Sequence, residues 1–134
     1  METRKKAFQI KSATANLLEE LPAFREEGFS IRLVRIPAPF EGIPEAHELF
    51  HDIYVVFDGV ADVITSSELG GGVEESKGEW RGGIMSGIHH HNVEKGDIMI
   101  IPAGVPHAVN VQNADVFQAV IKIRVKDGEN GGSC

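Results

Sequence analysis

The sequence predicts an all-β fold, and three observations carry that expectation. Fifteen glycines and six prolines among 134 residues cut the chain into short segments. Those segments are rich in Val, Ile and Phe, which suit a pleated, half-buried surface. Several alternate apolar with polar side chains, and strands do not take turns with helices in the βαβ manner of a parallel sheet, so a sandwich or barrel is expected. The length is that of one domain around one hydrophobic core.

The one helical stretch comes first. Between Lys11 and Glu20, residues Ala15, Leu17 and Leu18 fall with Leu21 at near-helical spacing, and Pro22 then stops the helix by removing a backbone donor. Residues 1–28 are therefore expected to form a helical arm ahead of a β domain over 29–126. In Phe29 to Ile36, residues Phe29, Ile31 and Leu33 oppose Ser30 and Arg32, which is strand alternation, and Pro37 and Pro39 end the run. Ile53 to Phe57 is apolar at nearly every position, so a second sheet or a partner subunit should cover both its faces. A homodimer joined through sheet edges or faces is the expectation.

Asp58 and Gly59 have the chemistry of a hairpin turn, with Val60 to Thr65 returning. Glu68 to Val93 is glycine-rich without a clean period and reads as a long loop over one end of the fold. Asp97 to Ile101 and Val105 to Val111 read as a strand pair joined by Pro102-Ala103-Gly104. In the closing strand, Phe117, Ala119, Ile121, Ile123 and Val125 alternate with Gln118, Lys122 and Arg124, for some eight strands in all. The last residues, 127–134, have nothing to bury and are expected to be a disordered tail.

Charge narrows the partners. Thirteen Lys and Arg against twenty Asp and Glu leave a net charge of -7, the wrong sign for tracking nucleic-acid phosphates. The single cysteine, Cys134, permits no internal disulfide and no cysteine zinc site, which fits a reducing cytoplasm. No apolar run follows the basic residues at the N-terminus, and the most apolar stretch, Ile98 to Val105, is far short of the roughly 20 residues a bilayer needs. Neither a secretory signal nor a membrane partner is expected.

The chemistry falls to six histidines: His47, His51, His89, His90, His91 and His107. Three successive residues on a strand point to alternating sides, so His89, His90 and His91 cannot all meet one ion, and a solvated run is expected. His107 lies at the end of Gly96, five residues, Pro102-Ala103-Gly104, two residues and then His. This spacing resembles the second motif of the cupin family at every position. It departs afterwards, because only Ala108 and Val109 separate His107 from Asn110. The first cupin motif is matched in part: counting back from Gly59, Asp52 stands in its Glu position, His47 at its second His and Glu45 at its first, while Tyr54 sits where the family often has an aromatic.

That resemblance implies a small single-domain cupin, a β-barrel or jelly roll, with one divalent metal ion (Fe, Mn, Ni or Zn) in the barrel. His47 and His107 on separate strands, with one carboxylate, make a two-His, one-carboxylate set with open positions. His51, Asp52 and Glu45 are the candidates to complete it, with the first two ahead of Glu45 because Pro44 disturbs strand geometry there. Tyr54 and Arg81 are candidates for substrate binding, Arg81 through a bidentate guanidinium at the pocket mouth, although Trp80 and Arg81 also suit loop anchoring. The expected function is a metal-dependent enzyme on a small polar or carboxylated molecule, of dioxygenase, lyase or isomerase type. The alternative is a non-catalytic small-molecule binding or sensor module.

Overall fold

The computed structural model describes residues 21–125 together with Ala7 and Gln9, and for 21–24 the backbone alone. The expected helix over Lys11 to Glu20 and the tail 127–134 lie outside the described residues. Along the described chain run twelve strands: β1 (Leu21–Glu26), β2 (Phe29–Ile36), β3 (Phe40–Glu41), β4 (Glu45–His47), β5 (Phe50–Asp58), β6 (Val60–Gly70), β7 (Val73–Ser76), β8 (Glu79–Arg81), β9 (Ile84–Glu94), β10 (Ile98–Ile101), β11 (His107–Val111) and β12 (Val116–Arg124). Among the described residues there is no helix, so none is long and apolar enough to cross a membrane.

Five strands form one sheet in the order β1-β2-β12-β5-β10. The other sheet runs β7-β8-β4-β11-β6-β9, with β3 also paired to β11. Neither closes on itself, so the architecture is two open layers rather than a closed barrel. The stretch Leu21–Glu26, expected at the end of a helical arm, is instead a strand paired antiparallel with β2, Leu21 opposite Leu33. Its Pro22 is tolerated because β1 is an edge strand.

Two expected hairpins are crossings between the layers. β5 and β6 lie in different sheets, and so do β10 and β11. Gly59 makes the first crossing at φ +86, where a Cβ would stand 2.4 Å from the Asp115 carbonyl oxygen. The Asp58 carboxylate accepts the Gly59 N–H at 3.0 Å. A chain passing between sheets needs the same positive-φ residue as one reversing within a sheet, so turn chemistry alone does not separate the two. The expected loop over Glu68 to Val93 is mostly strand. β6 and β9 pair from Val60 opposite Glu94 to Gly70 opposite Ile84, and exposure on both faces at the far end removes any apolar period.

The core lies between the layers, built from Ile36, Tyr54, Val56, Ala61, Val63, Val93, Ile101, Val111, Val116 and Val120. Each aliphatic side chain fully buried there contributes roughly 1.5–3 kcal/mol. The inward positions then turn polar along three strands. β5 passes from Val56 through Tyr54 to Asp52, β11 from Val111 through Val109 to His107, and β12 from Val120 to Lys122. A polar cavity is thereby set at one end of an apolar sandwich. Gly59→Ala is expected to lower stability by about 1–3 kcal/mol through strain and the Asp115 clash, read as a lower urea midpoint with unchanged slope. An unchanged midpoint would refute that account.

Candidate metal centre

Strand register brings the polar residues together. Glu45 and His47 are two apart on β4 and share a face. His107 on β11 is directly opposite Glu45, and Glu79 on β8 is directly opposite His47. From the facing sheet come Asp52, Tyr54 and Lys122. The His47 Nε2 lies 3.3 Å from Glu45 Oε2 and 3.4 Å from Asp52 Oδ2, while His107 Nε2 is 3.5 Å from the same Asp52 oxygen. The two imidazole centroids are 5.1 Å apart.

The second ring nitrogen of each histidine is already committed. His47 Nδ1–H donates to Glu79 Oε1 at 2.9 Å, and His107 Nδ1–H donates to the Val105 carbonyl at 3.0 Å. With Nδ1 so engaged, Nε2 of each ring is the nitrogen turned toward Glu45 and Asp52, the orientation that outer partners give to metal-ligating histidines. Glu45, His47 and His107 each offer one ligand atom, all within 4.8 Å of one another, and form a group that could hold a metal ion. Two further observations fit a cation: Asp52 Oδ1 and Glu79 Oε2 are buried and accept no hydrogen bond. The Lys122 ammonium stands 3.7 Å from Asp52 Oδ1.

Burial and charge pull the two histidines apart. Desolvation lowers the His47 pKa, but the hydrogen bond to Glu45 and the charges of Asp52 and Glu79 outweigh it, and the value rises above the ordinary one. For His107 desolvation dominates and the value falls. The hydrogen bond with His47 holds the Glu45 carboxyl below its usual range. Burial, with Asp52 and Glu45 nearby, pushes the Tyr54 hydroxyl far upward, so it remains a hydrogen-bond donor.

The cluster opens on a cavity of about 290 Å³ that Arg32, Tyr54, Arg81, Gln118 and Lys122 line together with Val34, Ile36 and Phe40. The same two-layer arrangement recurs in known proteins. The cupin domain of Cnp3 from Schizosaccharomyces pombe superposes with a TM-score of 0.66 at 15% identity, over 87% of this chain and 69% of that one. KdgF from Halomonas sp. gives 0.55 at 17% identity over 79% of each chain. The chain has the cupin fold. The DMSP lyase DddQ from Ruegeria pomeroyi gives 0.54 at 17% identity, and this chain spans only 42% of that chain's length. No family sequence model matches the chain, and no curated protein sequence matches it.

In this cupin the structure gathers His47, His107 and Asp52 with Glu45, which occupies the position of the first motif's leading histidine. Pro44 does not disturb Glu45, because β4 begins at that residue. His51 is not brought to the cluster, which corrects its rank above Glu45. Adjacent to Asp52 on β5, it faces the other side of the sheet, where its Nδ1 accepts the Ala103 N–H at 2.9 Å. Tyr54 lines the cavity. Arg81 also lines it, but its guanidinium is bound to Glu45 at 3.1 Å, while Trp80 donates to Glu48 at 2.9 Å. His90 donates to Asp62, and His91 bonds Thr65, both away from the cluster.

Glu79 and Lys122 were not among the sequence candidates. Glu79 fell within the supposed loop. The polar phase of the closing strand, which holds Lys122, looks like a solvent face in the sequence and is in fact the cavity face.

In the ion-free protein, the raised His47 value means a stabilisation fully present below about pH 6.5 and lost as pH rises through the folded value. The lowered His107 value has the opposite sign, so acidification through about pH 6.5 costs stability. Proton NMR titration of the ring resonances should place His47 above that pH and His107 below it. The reverse order would contradict the geometry.

Proposed function

We propose that this chain is a metal-dependent cupin acting on a small carboxylated molecule, with one divalent ion held by Glu45, His47 and His107. The observation that carries the reading is the pair of imidazoles whose Nδ1–H groups are spent on Glu79 and Val105, leaving both Nε2 atoms beside Glu45. Two nitrogens and one carboxylate suit Fe, Mn, Ni or Zn. When bound, such an ion supplies Lewis acidity, stabilising negative charge on a ligand oxygen.

The chain's own residues define the molecule. The cavity lies near the lower end of the range for small-molecule sites, about 300–1,000 Å³, so the ligand is small. Lys122, on the facing sheet beside Asp52, provides the cation to orient a carboxylate. The Tyr54 hydroxyl, kept protonated by burial, donates a hydrogen bond. Val34, Ile36 and Phe40 exclude water from the opposite wall. Solved structures of this fold include an oxalate oxidase, also seen with glycolate, and a DMSP lyase. Oxalate and glycolate are themselves small carboxylates, which supports the substrate class. A non-catalytic binding module is the second reading, favoured by the contacts that hold His47 between Glu45 and Asp52 without any ion.

Reconstitution with Fe(II), Mn(II), Ni(II) or Zn(II) should give close to one ion per chain by elemental analysis. His47→Ala and His107→Ala should each abolish it, and Glu79→Gln should weaken affinity by about 10–100-fold through loss of imidazole orientation. A reconstituted protein without metal removes the enzyme reading and leaves the binding module. Calorimetry with oxalate or malonate on the loaded protein tests the ligand class. Lys122→Met should weaken binding by about 10-fold or more, the worth of one charge-assisted hydrogen bond, and unchanged affinity would place the carboxylate elsewhere.

A further inference from the structure

The five-stranded sheet has a second face. Opposite Asp52, Tyr54 and Val56, strand β5 presents Ile53, Val55 and Phe57. Cross-strand register extends this outward set in rows: Val55 stands beside Ala119 and Ile98, and Ile53 beside Ile121 and Ile100. Ile98 and Ile100 are 63% and 61% exposed, on the edge strand β10. Phe57 is also exposed, its ring 5.4 Å from that of Phe117. The rows contain no charged side chain, although the chain carries a net charge of -7. Charge returns at the rim, where the Arg35 guanidinium lies over Phe117 at 4.8 Å and Asp58, Lys95 and Asp97 flank the strand ends.

We infer that the β5–β10 half of this outer face is the contact surface for a second copy of the chain. Three strands about 4.8 Å apart, with outward residues recurring about every 6.8 Å, give an apolar footprint of roughly 300 Å². That is the size of an uncharged centre which a polar rim extends to ~800 Å² per partner in a standard interface. A flat apolar sheet face is matched by another flat sheet face about 10 Å away. In a two-fold contact each residue meets its counterpart reciprocally, so a rim carrying both signs complements itself.

The chain's remaining residues are worse occupants. Residues 1–20 lead into β1, which is the far edge of this sheet, four strand spacings or about 19 Å from β10. Residues 126–134 read KDGENGGSC, with no aliphatic or aromatic side chain to offer.

Sedimentation equilibrium of the full chain, from low to high micromolar concentration, should give twice the 14.6 kDa chain mass. The double variant Ile98→Glu, Ile100→Glu should sediment as a monomer with an unchanged far-ultraviolet circular dichroism spectrum. Ile84→Glu, at a residue 77% exposed in the other sheet, should remain dimeric. Hydrogen exchange in the unmodified chain gives the same reading without substitution, since amides of Ile98–Ile101 should become slower with rising concentration. A monomer across the range overturns the inference, as does a dimer that survives both glutamates or is equally lost in Ile84→Glu. A monomer whose β10 amides are protected at every concentration places the chain's own residues on the face and also overturns it.

Discussion

Everything in the site depends on how the corner Pro102-Ala103-Gly104 is pinned. This corner carries the chain from β10 in one sheet to β11 in the other, and His107 follows directly. The Gly104 N–H donates to the His47 carbonyl at 2.8 Å, which ties the corner to β4. The Ala103 N–H donates to His51 Nδ1 at 2.9 Å, which ties it to β5. Two stacked sheets are free to shift by small rotations, whereas a ligand set must hold to about 0.5 Å. Fastening one corner to both layers removes that freedom where His47, His107 and Asp52 converge. His51 thus serves the cluster without belonging to it.

The motif spacing is what made much of this legible. Gly96, Pro102, Gly104 and His107 in one register fixed His107, and counting back from Gly59 fixed His47, Asp52 and Glu45. Strand alternation also separates His51 from Asp52, since adjacent residues cannot face the same side. That rule was available in the sequence and should have ranked Glu45, two residues from His47, above His51. The two layer crossings were not legible. At Gly59 and at Pro102-Ala103-Gly104 the local chemistry is that of a tight turn, and which sheet receives the next strand is decided by packing far away in sequence. The β7–β9 region was hidden for another reason. A strand that buries neither face has no need of alternation, so Glu79 left no periodic trace.

The five-stranded sheet reverses the usual polarity of a two-layer fold. Its inner face carries Asp52, Gln118 and Lys122 at one end, while its outer face carries Ile53, Val55, Ile98 and Ile121. This explains why Ile53 to Phe57 is apolar at nearly every position: Val56 belongs to the core between the sheets, and its neighbours belong to the opposite surface. Polarity inside and apolarity outside are both costly for an isolated monomer. Each calls for a counterpart, one a ligand and the other a surface.

The inner cost can be located atom by atom. Glu45, Asp52 and Glu79 surround two imidazoles, and the nearby cations are Lys122 and, at the mouth, Arg81. Asp52 Oδ1 and Glu79 Oε2 remain buried without a hydrogen bond, and each such group costs about 1–3 kcal/mol or more. Ordinary packing selection would replace these residues, because a buried ion pair contributes less than a well-filled apolar core. A divalent cation changes that balance. It gives three acidic groups a shared counter-charge and, since its ligands converge only in the folded chain, its binding adds directly to folding stability. The placement of uncompensated acid beside two oriented imidazoles is therefore better accounted for by an ion that the folded chain is built to receive than by the stability of the chain alone.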